Sequence, residues 1–185
     1  RASTFDEMLV RMERLFRALE KADLKLKLKK CYFGRRETPY LGQIITPTGL
    51  KPNPKTVEAI VNFEKPQTAR SALSFVSLAN FYRDYVPNFS TISAPLYEIA
   101  TAKDKPFAWT EEANKAFEVL KKAISSPPVL RHPDLAPGKL FYLETDASGV
   151  GAGCGLLQED DKGERHPIAF ASKKWNKHQR NYSAI

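Results

Sequence analysis

The residues with the clearest potential for chemistry lie in the segment 141–148, which reads FYLETDAS. Apolar and β-prone residues lead up to Asp146, and small residues follow it at once. This order predicts that Asp146 lies at the exit of a β-strand, where its carboxylate can hold a divalent cation. The alternative is an aspartate that begins a turn, because Asp-x-Ser is ordinary turn chemistry.

Glu144 is the nearest second carboxylate, two residues before Asp146. Side chains two apart on a strand point to the same face. Two carboxylates on one strand make a poor metal cage, since two-metal chemistry needs several converging ligands. We therefore interpret Glu144 as a solvated or salt-bridged strand residue. The three histidines of the chain show no spacing typical of a metal or triad site, and no role is assigned to them.

Glycines alternate with other residues just after this segment, at positions 149, 151, 153 and 155. A strand with this pattern has one nearly bare face, which permits the close approach of another backbone. A nucleic-acid strand could use that face, and a packed helix would explain it equally well.

The elements that must position Asp146 are a helix and three strands. Thr110 is placed to cap a helix from Glu111 to about Ser125, and Pro127-Pro128 ends it. Segments 139–145, 150–157 and 165–172 have strand-like composition, and the acidic connection at 159–164 contains a turn glycine. These segments predict a three-stranded antiparallel meander packed on one helix, followed by the start of another helix at 175–185.

The first hundred residues predict a mixture of helices and short strands. Thr4 and Glu7 have the spacing of a capping box, and the apolar spacing behind them predicts a helix to about residue 21. The alternation of leucine and lysine at 24–29 predicts a strand. A hairpin is expected at Thr38–Thr46. Asn53, followed by Pro54, and Thr68 are placed to cap two helices. With the prolines and the apolar periodicity, these caps predict a small bundle of three helices, at about 53–63, 69–85 and 90–99.

Composition narrows the class of protein. The 185 residues are 42% hydrophobic, which is enough for a globular core, and the net charge of +8 favours a polyanionic partner such as nucleic acid. Many basic soluble proteins have no such partner, so charge alone leaves both options open. The two cysteines fit neither a zinc pattern nor a disulfide framework, which favours a reduced intracellular compartment, cytoplasmic or nuclear. No apolar run is long enough to predict a membrane span.

Six strings, in order along nearly the whole chain, resemble the Pol polyprotein of gypsy-type LTR retrotransposons. The hairpin string YLGQII is similar to that family's YLGH-I block with Gln43 in place of the commoner histidine, and LETDAS at 143–148 matches its LETDAS block. The other four strings lie at 25–33, 77–90, 107–117 and 181–183.

The resemblance implies an α+β chain in three parts. Residues 1–52 would be the C-terminal part of the reverse transcriptase palm, with a helix and a primer-grip-like hairpin. Residues 53–103 would be the helical thumb, and residues 104–185 the N-terminal part of an RNase H-like domain, made of a helix and the three-stranded meander.

The implied function is that of a fragment of an RNA-directed DNA polymerase with RNA-strand cleavage, an endonuclease activity. Its partners would be an RNA/DNA template–primer duplex and the remainder of the Pol polyprotein. The family's paired polymerase aspartates are absent from the chain, and Asp146 is the one residue that matches its RNase H acidic set. We therefore expect the chain to be catalytically incomplete alone. The alternative is a retroelement-derived host module that binds nucleic acid, or acts as a scaffold, without catalysis.

The resemblance also implies site residues. Asp146 would be a catalytic Mg²⁺ ligand, with the ion held weakly by this chain itself. Residues expected to contact nucleic acid are those of the hairpin, two of the basic run and four of the helical part: Tyr40, Leu41, Gly42, Gln43, Lys25, Lys27, Arg70, Asn80, Tyr82 and Arg83. Phe81 and Tyr85 are expected to lie in the core.

Overall fold

The computed structural model describes residue 2 and residues 4–102, 106–176 and 178–181. The chain forms two compact units, residues 1–35 and 36–185. The second unit contains helices and two antiparallel sheets, which confirms the predicted α+β class.

The first unit contains helix α1 (Phe5–Lys21). Thr4 caps it as predicted, its Oγ1 accepting a hydrogen bond from the Glu7 amide at 3.2 Å. The rings of Phe16 and Phe33 meet edge to face, with centroids 6.1 Å apart. The strand predicted at 24–29 is wrong, because this segment is irregular and ends in a 3₁₀ turn at Leu28–Lys30. Alternation needs a partner strand to become a β-ladder, and no described residue pairs with this segment.

The first sheet of the second unit has the order β1-β2-β3-β4, with every pair antiparallel. Its strands are β1 (Thr38–Tyr40), β2 (Gln43–Ile45), β3 (Gly49–Pro52) and β4 (Leu130–Arg131). The predicted hairpin is β1–β2, and Leu41 and Gly42 form its two-residue turn with φ values of 46° and 76°. Positive φ at both central residues is the type I′ geometry, which suits the twist of the strands. Strands β3 and β4 were not expected from the sequence.

Among the described residues between β3 and β4 there are five α-helices: α2 (Pro54–Val61), α3 (Ala69–Asn80), α4 (Phe89–Ile92), α5 (Ala94–Thr101) and α6 (Glu111–Ser125). The predicted caps are confirmed, since side-chain oxygens of Asn53, Thr68 and Thr110 accept hydrogen bonds from first-turn amides. The helix predicted at 69–85 ends earlier, at Asn80, and a 3₁₀ turn follows at Arg83–Tyr85. The helix predicted at 90–99 is divided into α4 and α5 at Ser93, where Pro95 enters the first turn of α5.

One core joins these helices to β4. Phe75 of α3 lies at its centre, with its ring centroid 5.3 Å from Phe63 and 4.5 Å from Phe117 of α6. Fully buried aliphatic side chains surround these rings: Ile60, Val76, Leu96, Leu120 and Ile124.

The second sheet is the predicted meander, with the order β5-β6-β7. Its strands are β5 (Phe141–Ala147), β6 (Gly151–Glu159) and β7 (Arg165–Lys174). A 3₁₀ turn at Gln179–Asn181 follows, and the rest of the helix predicted at 175–185 lies partly outside the described residues. Among the described residues, no helix combines the length and the apolar character needed to cross a bilayer.

Candidate metal ligand and nucleic-acid surface

Asp146 is the penultimate residue of β5, and its side chain is exposed. It lies directly opposite Gly153 of β6. Its Oδ2 accepts one long hydrogen bond, 3.5 Å from Nδ2 of Asn88. The carboxylate therefore retains accessible oxygen atoms, as a metal ligand requires.

Glu144 lies on the same face of β5 and has a basic partner. Its Oε1 is 3.5 Å from NH1 of Arg165 on β7, and the Arg165 guanidinium also lies 4.1 Å from the centre of the Tyr142 ring. The interpretation of Glu144 as a salt-bridged strand residue is confirmed.

The glycine face of β6 is covered by the chain itself. A Cβ added at Gly153 would overlap Oδ1 of Asn88, the residue that precedes α4. A Cβ at Gly151 would lie 2.6 Å from the Lys173 carbonyl oxygen. Of the two explanations of the glycine pattern, close packing of another part of the protein is the one observed.

Arg83 anchors the segment before α4 to β7. Its NH2 donates to the carbonyl of Ser172 at 2.6 Å, and Ser90 donates its amide to the Ser172 Oγ at 2.8 Å. Lys174 pairs with Glu98 at 2.7 Å. The Arg83 guanidinium is therefore engaged by the sheet and only partly exposed, and its expected contact with a duplex stays a prediction.

Two tyrosine hydroxyls donate hydrogen bonds to the hairpin turn. The Tyr82 hydroxyl donates to the Gly42 carbonyl at 2.8 Å, and the Tyr85 hydroxyl donates to Oε1 of Gln43 at 3.0 Å. Tyr82 is fully buried, so the expectation that it contacts nucleic acid is wrong. Its helical spacing with the buried face of α3 was the sequence signal for this burial.

Phe81, at the end of α3, packs against the hairpin turn. On the side where a Cβ would lie, Gly42 faces the Phe81 ring, whose Cε1 would be 2.7 Å from that Cβ, while Gly42 itself is exposed and its expected contact with nucleic acid stays a prediction. Phe81, expected in the core, is 49% exposed. Tyr40 and Leu41 remain accessible at the tip, with Leu41 73% exposed.

The other candidate contacts lie at the surface. Lys25 and Lys27 of the first unit and Arg70 of α3 are exposed, and Asn80 at the end of α3 is half-buried. None of the three cations has an ion pair with another described residue.

A second group of ligand-type side chains, at the β6–β7 turn, was not expected from the sequence. Asp160, Glu164 and His166 place their ligand atoms within 4.8 Å of one another. His166 and Arg131 bond Oδ2 of Asp160 at 2.8 and 3.1 Å. The His166 bond, then backbone amides and Arg131, hold the pKa of Asp160 far below its usual range. Because the Arg131 guanidinium already pairs with the Asp160 carboxylate, we interpret these three side chains as part of a salt-bridged turn and not as a metal site. The spacing Asp-x-x-x-Glu-x-His in the sequence could have indicated this cluster.

Ionisation of Tyr85 is predicted to lower the stability of the fold at alkaline pH. Burial, followed by the neighbouring Tyr82 and Asp84, raises the pKa of Tyr85 to about 12. An unfolded tyrosine ionises near pH 10, so the stabilising effect is complete below about pH 10 and is lost as the pH rises towards 12. We expect the free energy of unfolding to fall by up to about 1.4 kcal/mol per pH unit in this window.

Urea unfolding at several pH values from 8 to 11.5 checks this prediction. The Tyr85→Phe variant should lose this alkaline component, and should be destabilised by about 1 kcal/mol at pH 8 through loss of the Gln43 hydrogen bond. An equal alkaline slope in both proteins would contradict the assignment.

Comparisons with known proteins agree with this geometry. A family model described as the RNase H-like domain found in reverse transcriptase matches residues 109–185. The chain is 38% identical over 184 residues to the retrovirus-related Pol polyprotein from transposon 297 of Drosophila melanogaster, covering 100% of this chain and 17% of that polyprotein. It is 32% identical over 165 residues to the transposon Tf2-3 polyprotein of Schizosaccharomyces pombe, covering 89% of this chain and 12% of that one.

Solved structures give the same result. The foamy viral protease-reverse transcriptase dRH in complex with double-stranded DNA superposes with a TM-score of 0.78 at 30% identity, covering 99% of this chain and 32% of that one. The same viral protein in complex with an RNA/DNA hybrid gives a TM-score of 0.77 at 29% identity, covering 99% and 24%. The chain thus spans less than a fifth of these polyproteins and at most about a third of these solved chains.

The family model, the two polyproteins and the solved structures all point to the same protein class. Residues 109–185 match the RNase H-like domain found in reverse transcriptase, and the chain as a whole is similar to the Pol polyproteins of gypsy-type LTR retrotransposons.

Proposed function

We propose that this chain acts in an RNA-directed DNA polymerase with ribonuclease H activity, and that it binds the template–primer duplex. The observation that supports this most directly is the exposed carboxylate of Asp146 at the end of β5, inside the region matched by the RNase H-like family. The likeness to foamy viral structures in complex with double-stranded DNA and an RNA/DNA hybrid supports the choice of ligand.

Asp146 would supply one ligand to a Mg²⁺ ion in this function. The residue fits that role because its oxygens are accessible and oxygen ligands suit this cation. Such an ion would stabilise the attacking and leaving oxygens of a phosphodiester. In the described part of the chain, the only group of three or more ligand-type residues is that of Asp160, so Asp146 belongs to none. We therefore propose that further ligands come from the nucleic acid and from the remainder of the Pol polyprotein, and that the chain alone neither cleaves RNA nor extends a primer.

The proposed domain assignment follows the resemblance. It places the end of the palm at 1–52, the thumb at 53–103 and the start of the RNase H-like domain at 104–185. The divisions at 53 and 104 both fall inside the compact unit 36–185. An intracellular location, where Cys31 and Cys154 stay free, belongs to the same proposal.

The proposed contacts with nucleic acid are the accessible ones. Tyr40 and Leu41 would present their side chains at the hairpin tip, where Leu41 keeps a left-handed φ of 46° that bulky residues seldom adopt. Gly42 and Gln43 would contribute to nucleic-acid binding by setting the shape of the turn. Lys25, Lys27, Arg70 and Asn80 would contact backbone phosphates without sequence preference.

Fluorescence anisotropy with a labelled RNA/DNA hybrid tests the binding proposal. The 185-residue chain should bind with an affinity on the order of 10 µM at physiological salt, and the affinity should fall steeply as salt rises. Replacing Lys25 and Lys27 together by alanine should make the slope of log K against log salt less steep, by about 0.9 for each phosphate that is no longer neutralised. Arg70→Ala should make the slope less steep by about 0.9, the effect of one phosphate.

Lys139→Ala is the matched control. Lys139 is ion-paired with Asp161 at 2.7 Å, so its charge is already compensated and its removal should leave the slope unchanged. Binding that does not respond to salt, or no binding at low salt, would refute the proposed contacts with phosphates. Metal-dependent RNA cleavage by the purified chain would refute the proposal that other parts complete the site.

A further inference from the structure

Asn88 has an unusual backbone and an unused capping side chain. It precedes α4 with φ 54° and ψ 28°, in the left-handed region, and its side chain makes no cap hydrogen bond. Asparagine before a helix normally accepts a hydrogen bond from a first-turn amide. Here the backbone carbonyl of Asn88 accepts from Thr91 and Ile92 instead, and the side chain turns towards the second sheet.

The Asn88 amide group contacts both members of one cross-strand pair. Its Oδ1 lies where a Cβ of Gly153 would be, and its Nδ2 lies 3.5 Å from Oδ2 of Asp146. Asp146 and Gly153 are directly opposite in β5 and β6. Cross-strand neighbours project to the same face, so the missing side chain of Gly153 creates the space in which Asn88 reaches the carboxylate.

The position of Asn88 is fixed from the next strand. Ser172 of β7 pairs with Gly153, so Asp146, Gly153 and Ser172 form one row across the sheet. Ser90 donates its amide to Ser172 Oγ at 2.8 Å and its hydroxyl to the Ser172 carbonyl at 3.0 Å. Arg83 donates to the same carbonyl at 2.6 Å. The segment around Asn88 is therefore attached to the row that contains Asp146.

We propose that Asn88 is a positioning residue for Asp146, holding one carboxylate oxygen so that the other is presented to a divalent cation. This inference rests on the proposed role of Asp146 as a metal ligand. An amide donor on one oxygen restricts rotation of the carboxylate, and hydrogen-bond partners of metal ligands typically contribute about tenfold or more to metal affinity.

Nuclear magnetic resonance of the 185-residue chain with Mn²⁺ tests the proposal. The paramagnetic ion broadens amide signals near its binding site, so weak occupancy at Asp146 is visible at Thr145 and Ala147. Asn88→Gly removes the side chain and keeps the left-handed backbone, because glycine adopts positive φ without strain. We expect this variant to need about tenfold more Mn²⁺ for equal broadening.

A second variant and a metal-free readout make the test independent of folding defects. Gly153→Ala places a methyl group where the Asn88 amide lies, and should weaken Mn²⁺ broadening in the same way. Without metal, the side-chain NH₂ signals of Asn88 should shift in the Asp146→Asn variant, as they report the hydrogen bond directly. Unchanged Asn88 signals would overturn the proposal.

The controls separate this inference from the function on which it rests. Glu144→Gln lies on the same strand face but is paired with Arg165, so it should change the broadening by less than about twofold. If Asp146→Asn abolishes the effect and Asn88→Gly does not change it, the role of Asn88 is overturned and that of Asp146 stands. If the unmodified chain shows no broadening near Asp146, the metal role itself is refuted and the inference falls with it.

Discussion

Replacing Phe75 by alanine is expected to lower the free energy of unfolding by about 4 kcal/mol. The Phe75 side chain is fully buried and its ring touches those of Phe63 and Phe117. Phe117 in turn meets Trp109 with centroids 5.7 Å apart, so the substitution leaves a cavity in the middle of a chain of four rings. The rings come from three separate parts of the fold, and local collapse cannot refill the space.

Urea unfolding followed by circular dichroism measures this loss. Leu73→Ala is the matched control, because Leu73 lies on the same helix and is 39% exposed. It should cost about 1 kcal/mol or less, since little apolar surface leaves water there. A loss below about 1 kcal/mol for Phe75→Ala would show that α3 and α6 are not packed through this ring.

Replacing Gly49 by alanine is expected to destabilise the second unit by about 3 kcal/mol. A Cβ at Gly49 would overlap the carbonyl oxygen of Leu130, which is a backbone atom and cannot rotate away. Gly49 pairs with Arg131 and Leu50 pairs with Leu130, so the methyl group would separate β4 from β3. Leu130 is buried in the core, and its displacement adds to the cost.

Gly149→Ala provides the control for this substitution. Nothing lies within 4 Å of a Cβ added at Gly149. This variant should change stability by no more than about 0.5 kcal/mol, in the stabilising direction, by restricting the unfolded chain. Thermal unfolding of both variants distinguishes them, and equal midpoints would contradict the close approach of β3 and β4.

The helices could be predicted from sequence because their signals are local. Thr4, Asn53, Thr68 and Thr110 all cap helices as expected, and each cap depends only on the next three residues. The meander was also predictable, because hairpin partners follow one another in the chain.

The missed strands depend on distant partners. β4 has two residues and pairs with a strand that precedes it by five helices, so no local pattern marks it. Segment 24–29 is the opposite case, because it has the alternating pattern of a strand but pairs with no other strand among the described residues. Strand propensity expresses fit to a neighbouring strand, and a single sequence does not contain that neighbour.

The candidate site was predictable in its chemistry but not in its contacts. Asp146 lies at the strand end as its flanking residues indicated, and Glu144 has the ionic partner that was expected. The burial of Tyr82 and the hydrogen bond of Arg83 to Ser172 depend on how the turn after α3 packs against distant strands. The local sequence carries no information about that packing. Asn88 was not singled out because its role depends on a glycine in another strand.

The pairing of β3 with β4 also constrains the order of folding. The helices between them can form from neighbouring residues as the polypeptide is synthesised, whereas the fourth strand of that sheet must wait until Arg131 has been added. Closing so long a loop carries a large entropic cost before any contact compensates for it. The slowest step in forming the second unit should therefore be the docking of this two-residue strand, with the helical layer largely assembled beforehand.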